Sequence, residues 1–258
     1  MSVSSQKVWL AGVDGCPGGK WIAVFGTPDG ETAPARLFEN FTDIVHSDKR
    51  PSVIAIDIPI GLPEITPSKG RRAEQLARAR IGNRRSSVFR IPSRSAVEAS
   101  VAPMPSDPRE RFFHACDIAR KTSEDNKAFA KQGFYILDKV DQVDRFMRSE
   151  AACLVKVYET HPEVAFWRMN GEIELTNPKK RKSRPFADGL EERETLLLRS
   201  GLEKSFVTSP PPIGAGRDDK LDALACLVVA KQIYAGKAIC LPDPPDYDKH
   251  GLPMAIWA

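Results

Sequence analysis

Two apolar runs in this chain each end in a carboxylate, and that pattern limits the available folds more than any other feature. One reads Val8-Trp-Leu-Ala-Gly-Val-Asp-Gly15 and the other Ser52-Val-Ile-Ala-Ile-Asp-Ile-Pro59. Short β-branched runs bounded by turn residues read as buried strands, which places Asp14 and Asp57 at strand ends. A third acidic group opens an apolar helix, Arg217-Asp-Asp-Lys-Leu-Asp-Ala-Leu-Ala-Cys-Leu-Val-Val-Ala230. Asp219 and Asp222 are three residues apart and share one helix face, as do Asp218 and Asp222 at a spacing of four. An ionised carboxylate in such surroundings is costly unless it is paired, protonated or bound to a metal.

The rest of the chain reads as one layered α/β unit. Residues 21–25 form the hairpin partner of the first strand across Gly15-Cys-Pro-Gly-Gly19, whose glycines and proline are turn chemistry. A third strand is expected near 35–39, a short helix at 42–47, a buried strand at 53–58 and a further strand at 153–159. Helices are expected at 73–81, 110–131, 137–149, 188–200 and 219–235, the second open to interruption at 122–126. The stretch 82–108 reads as loop because Pro92, Pro103 and Pro105 interrupt it. A last short strand falls at 238–241, followed by an extended Pro242-Asp-Pro-Pro-Asp tract. This order predicts a mixed sheet flanked by helices, in a single domain spanning 1–258 with a mostly helical, basic insertion at about 64–150.

With 258 residues, 41% hydrophobic and 28% charged, the chain can bury a sizeable core. It has no run of eighteen apolar residues and no signal-peptide core, so no membrane span is expected. The five cysteines are scattered and form no CxxC pair, which points to a reducing cytoplasm. Cys16 reads as a small space-filling residue at a turn.

Charge is distributed unevenly. The net value is only +4, yet segment 69–94 carries Lys69, Arg71, Arg72, Arg78, Arg80, Arg84, Arg85, Arg90 and Arg94 against one acid, Glu74. A second cluster is Lys179-Lys-Arg-Lys-Ser-Arg184. Arginine suits bidentate phosphate contacts, so the first cluster reads as a polyanion-binding face.

Two carboxylates about 4 Å apart repel by roughly 4 kcal/mol at an effective dielectric near 20. Several converging acids need cations, and Mg²⁺ and Mn²⁺ prefer such oxygen ligands. A pair of ions held this way activates water and stabilises a leaving oxygen in phosphodiester cleavage. Asp218 or Asp219 alone is equally explained as a helix cap; Asp222 is not. Glu159, ending a strand as Asp14 and Asp57 do, is a further candidate, as is Glu163. His161 reads as a cap for the helix that Pro162 begins. No Ser-His-Asp signature, P-loop or GxGxxG is present, which leaves nucleophilic hydrolases and dinucleotide enzymes unsupported.

These residues resemble the ribonuclease H-like superfamily, and more specifically the predicted nuclease family known as domain of unknown function 429. The matching pieces are Gly12-Val-Asp-Gly-Cys-Pro-Gly-Gly19, Ile56-Asp-Ile-Pro-Ile-Gly-Leu-Pro63, Arg84-Arg-Ser-Ser-Val-Phe89, Tyr158-Glu-Thr-His-Pro-Glu163 and Arg217-Asp-Asp-Lys-Leu-Asp-Ala-Leu-Ala225. The resemblance implies a ribonuclease H-like fold and a nuclease using Mg²⁺ or Mn²⁺. It implies Asp14, Asp57, Asp219 and Asp222 as metal ligands, Glu159 as an added catalytic acid, and Arg71, Arg72, Arg84, Arg85 and Ser86 toward the substrate. Two positions depart from the family pattern: Glu74 replaces the more usual Asp, and Arg217 stands where a His is common. Two other functions stay open. One is an ATP-dependent phosphotransferase of the actin and sugar-kinase type, which shares the fold and its glycine-rich turn after Asp14. The other is a non-catalytic nucleic-acid binder. The apolar Leu252-Pro-Met-Ala-Ile-Trp257 is expected to dock on its own domain or on a second copy in a homodimer.

Overall fold

The computed structural model describes residues 7–258 apart from Ala130, Ser183 and the side chain of Gln132. A five-stranded sheet carries the fold, in the order β3-β2-β1-β4-β5. Its strands are β1 Leu10–Gly15, β2 Trp21–Gly26, β3 Thr32–Phe38, β4 Val53–Ile56 and β5 Lys156–Glu159. The first three form an antiparallel meander, whereas β1, β4 and β5 run parallel. The parallel strands are linked by excursions long enough to cross the sheet, as parallel pairing requires.

Alternation along the strands builds two core layers. Ala11, Val13, Trp21, Ala23, Phe25, Ile54, Ile56 and Val157 face one side. There they pack against α1 Phe41–Val45, α3 Arg94–Val101 and α6 Leu137–Met147. Leu10, Ile22, Val24, Val53 and Ala55 face the other side. There they meet α7 Pro162–Met169, α8 Ala187–Arg199, α9 Lys204–Thr208 and α10 Arg217–Tyr234. The remaining helices of the excursion between β4 and β5 are α2 Arg72–Arg80, α4 Pro108–Lys121 and α5 Lys131–Phe134. A small hairpin, β6 Lys180–Arg181 with β7 Arg184–Pro185, precedes α8.

The chain ends in a second ribbon of β8 Cys240–Tyr247 and β9 Pro253–Trp257. It docks on its own fold: Trp257 bridges to Thr160 beside β5, and its ring lies 5.1 Å from that of Tyr158. The five cysteines are all free. Among the described residues no helix is long and apolar enough to cross a membrane.

Two expectations shift for identifiable reasons. Residues 94–101 form a helix where loop was expected, because Pro92 and Pro103 bound it rather than break it. Ser93 caps its first turn by accepting a hydrogen bond from the Ala96 amide, and Ala96 and Val97 are buried. The helix expected over 110–131 stops at Lys121. Beyond it the backbone of Thr66 pairs with Thr122 and Glu124, which draws the chain out of helical geometry.

The helix α10 lies against β1 at backbone contact. A Cβ on Gly12 would lie 2.1 Å from both the Ala223 carbonyl oxygen and the Leu227 amide nitrogen. Only hydrogen at that position lets the helix lie directly on the strand. The N-terminal turn of α10 is anchored by Lys220, a buried lysine whose ammonium donates to the carbonyls of Phe206, Val207 and Ser209. Gly12→Ala is expected to lower stability by at least about 1–3 kcal/mol through overpacking, or to prevent folding. A thermal midpoint within a degree of the parent would show that α10 does not seat this closely.

Candidate functional site

The parallel register explains why two of the acids meet. Val13 is paired with Ile56, so Asp14 and Asp57 come level one residue further on, at the carboxyl ends of neighbouring strands. Neighbouring strands lie roughly 4.8 Å apart. Both side chains point to the α10 side, by alternation from Leu10 and Gly12 on one strand and from Val53 and Ala55 on the other. Asp14 accepts from the Gly15 amide at 2.7 Å. The contact at Gly12 then seats Asp222 of α10 close to both, and Asp222 is almost wholly buried. These carboxylates share one field. Burial raises the pKa of Asp14 well above the ordinary carboxylate range, and the charges of Asp57 and Asp222 raise it further. Burial pushes Asp222 up to about 6 against the opposing pull of Lys179. Burial also raises Asp57, with His161 and Lys179 acting the other way.

Lys179 is the cation of this cluster. Its ammonium donates to Asp222 Oδ2. Burial works against its charge, but Asp222 and Asp14 outweigh that effect and raise its pKa. Its neighbour Lys180 pairs with Asp218 at 2.6 Å. The segment is held in place by α8, whose Gly189 lies so close that a Cβ would meet the Pro178 carbonyl at 2.0 Å. Asp219 acts within its own helix turn, where one of its oxygens accepts from the Gly216 amide at 2.8 Å and closes the start of α10. Its charge reaches Asp14 more weakly than those of Asp57 and Asp222.

Glu159 does not join the set. It pairs in register with Ile56, one residue out of step with Asp57, and therefore faces the opposite side of the sheet. There it holds Arg71, with Nη2 2.7 Å from Oε1 and Nη1 3.0 Å from Oε2. Arg71 also binds Glu74 at 2.7 Å and the carbonyls of Ile60 and Gly61. All three charged side chains are buried, so Arg71 is committed to this internal network. Glu74, the departure from the family pattern, is one of its members.

The acid that reaches the α10 side from β5 is Glu163. Past the end of the strand, Pro162 starts α7 and Glu163 occupies its first turn. Its Oε1 accepts from the wholly buried Arg193 at 2.6 Å. Its Oε2 has no partner, and neither does Asp222 Oδ1. The charge of Glu163 acts on Asp57, Asp222 and Lys179. His161 occupies the cap position but makes no capping bond with its ring. Its Nε2 instead lies 3.2 Å from the Ser87 carbonyl, and its Nδ1 is buried without a partner. The signal in the sequence was Pro162, which starts a helix at that point and turns the chain back over the strand ends.

Asp14 and Asp57 line one side of a cleft of about 460 Å³, together with His161 and the turn 15–19. Cys16 also lines it; burial pushes its thiol up to about 11, which fits packing and not a nucleophile. The basic segment is divided. Arg78, Arg90 and Arg94 bond internally, as Arg71 does. Arg84 is half-buried with Nη2 3.3 Å from the Thr176 carbonyl, and Arg72 is exposed 3.8 Å from Asp246. Arg85 and Ser86 are exposed. Of this stretch, Arg71, Glu74, Ser87, Val88, Phe89 and Ile91 line the cleft.

By chemistry the donor set suits a hard divalent cation: buried carboxylates, two of them with an oxygen lacking any partner. As arranged, an ammonium occupies Asp222, and among the described residues no group of three or more His, Cys, Asp or Glu is set to hold a metal ion. The residues fit a cation by charge and donor type, and Lys179 is the cation that pairs with Asp222 in this structure.

Glu159→Gln would leave the Arg71 charge without its main partner. It is expected to cost about 3–5 kcal/mol in denaturant unfolding, the usual result of breaking a buried pair. A loss below about 1 kcal/mol would show that the network does not hold the sheet edge.

No curated protein and no solved structure matches the chain. A family model described as "Protein of unknown function (DUF429)" matches residues 12–247, a span that contains Asp14, Asp57, Glu163, Lys179 and Asp222. The chain belongs to the DUF429 family.

Proposed function

We propose that this protein is a metal-dependent phosphodiesterase of the ribonuclease H-like kind, acting on DNA or RNA. The observation that carries the reading is the placement of Asp14 and Asp57 level at the ends of adjacent parallel strands, with Asp222 seated against them by α10. The strand order, an antiparallel meander followed by two parallel strands, supports the fold part of the reading. So does the long helical excursion between β4 and β5.

In this reading Asp14, Asp57 and Asp222 hold Mg²⁺ or Mn²⁺, with Asp219 at the edge of the set. Such an ion polarises a phosphoryl oxygen and lowers the pKa of a bound water. Glu163 adds negative charge beside Asp222 and is itself oriented by Arg193. Lys179 balances part of the charge at Asp222, where a divalent ion would compete with it. His161 lines the cleft wall, with its Nδ1 buried and without a partner. The exposed Lys69, Arg72, Arg80 and Arg85 contribute a salt-sensitive attraction for a polyanion.

A phosphotransferase reading comes second. The glycine-rich turn 15–19 lines the cleft beside Asp14, as a phosphate turn would. Enzymes of that kind pair two copies of the fold, and the described residues form one five-stranded sheet. Micromolar ATP binding would reverse the ranking.

A panel of labelled DNA and RNA, branched forms included, is expected to be cut in Mn²⁺ or Mg²⁺ and not in EDTA, with Asp14→Asn inactive. Absence of cleavage by protein that binds Mn²⁺ would sink the nuclease reading. Lys179→Met is expected to tighten Mn²⁺ binding severalfold in calorimetry, because the ion no longer competes with an ammonium. Unchanged or weaker binding would remove Lys179 from the role of counter-cation.

A further inference from the structure

The cleft beside Asp14 and Asp57 has three chemically distinct parts. Its acidic side is the Asp14–Asp57 pair; Arg71, Glu74 and Glu159, already bonded to one another, also line it. Its second part is Lys139, a residue only 5% exposed whose side chain lines the cleft. The Lys139 ammonium lies 5.3 Å from the centre of the Trp21 ring and makes no salt bridge or hydrogen bond among the described residues. The stem of the side chain is buried while the ammonium is unpaired at the cleft wall, so it offers a cationic place for an anion. The third part is aromatic. Phe89 is 41% exposed and Tyr135 65% exposed, both line the cleft, and neither belongs to a core cluster. Val88, Ile91 and Ile256 make the wall near them apolar.

Aromatic rings left in water at the mouth of an apolar-walled cleft suit a flat ligand, and base–aromatic stacking contributes about 1–3 kcal/mol per base. A paired base in a duplex has both faces covered and cannot stack on a side chain; an unpaired one can. A cleft of about 460 Å³ lies at the lower end of the usual range for small ligands.

We propose that the cleft takes one unpaired nucleotide of a DNA or RNA strand. Its base lies against Phe89 and Tyr135, and its phosphate lies at Lys139 beside Asp14 and Asp57. The substrate class is thus a single-stranded segment or an unpaired end. The inference rests on the phosphodiesterase reading for its acidic side, but its aromatic and lysine parts can be tested without catalysis.

The test is fluorescence anisotropy in EDTA, where no turnover occurs, with a labelled single-stranded oligonucleotide and a blunt, hairpin-closed duplex of the same sequence. The single strand is expected to bind at least about tenfold more tightly than the duplex. Phe89→Ala and Tyr135→Ala should each weaken single-strand binding about five- to tenfold or more and leave duplex binding unchanged. Both side chains are exposed, so an unchanged thermal midpoint would verify folding. Lys139→Met should weaken binding and reduce the salt slope by roughly 0.7. Equal affinity for the two substrates, with the aromatic variants indistinguishable from the parent, would overturn the proposal. Displacement by a free nucleoside monophosphate as effective as by the oligonucleotide would overturn the strand as its source. Neither result depends on cleavage, so single-strand preference without cleavage would fault the nuclease reading alone.

Discussion

The contact between α10 and β1 at Gly12 is the interaction on which the rest of this structure depends. Because position 12 carries no side chain, the helix backbone lies against the strand. That approach buries the apolar residues 223–230 in one core layer. It also carries Asp222 to Asp14 and Asp57. Core formation and the assembly of the acidic site are therefore one event. The apolar stretch of the helix drives the burial, and the carboxylates are carried with it.

The consequence is an electrostatic cost that the fold must meet. Buried like charges at this spacing are unfavourable by several kcal/mol, and burial raises the pKa values of Asp14, Asp57 and Asp222. Lys179 offsets part of the cost at Asp222, and Arg193 does so at Glu163. The opposite face of the sheet shows how a settled buried network looks. Arg71 bonds two carboxylates and two carbonyls there. On the α10 face, by contrast, Asp222 and Glu163 each keep an oxygen without a partner. The Arg71 network and the Asp222–Glu163 group thus differ in how fully their carboxylates are satisfied, although Asp144 on the α6 face also keeps an oxygen without a partner.

Most elements of the fold were legible in the sequence because burial enforces periodicity. The strands at 8–15 and 53–58 and the closing helix follow directly from their apolar patterns, and Pro162 marks the start of α7. The helix at 94–101 was obscured because prolines that break a helix internally also bound one. Asp14, Asp57 and Asp222 were legible as a set because each carboxylate interrupts or ends an apolar run. Glu159 satisfied the same pattern and nevertheless belongs elsewhere. A strand-end acid can face either side of a sheet, and only pairing register decides which. The arginines of segment 69–94 look alike in sequence, yet several are consumed by partners distant in the chain, such as Asp125, Asp144, Glu159 and Asp248.

What the sequence by itself determined was the local character of each piece: which runs are buried, where carboxylates interrupt them and where helices start. What only the tertiary structure decided was which charges meet. It paired Glu159 with Arg71, brought Glu163 and Lys179 to the aspartates, and opened Lys139, Phe89 and Tyr135 onto the same cleft. The reason is physical. Periodicity is a property of neighbouring residues and is written along the chain. Register and helix approach depend on single-residue steps and on one missing Cβ at Gly12, and these take effect only when segments distant in sequence come into contact.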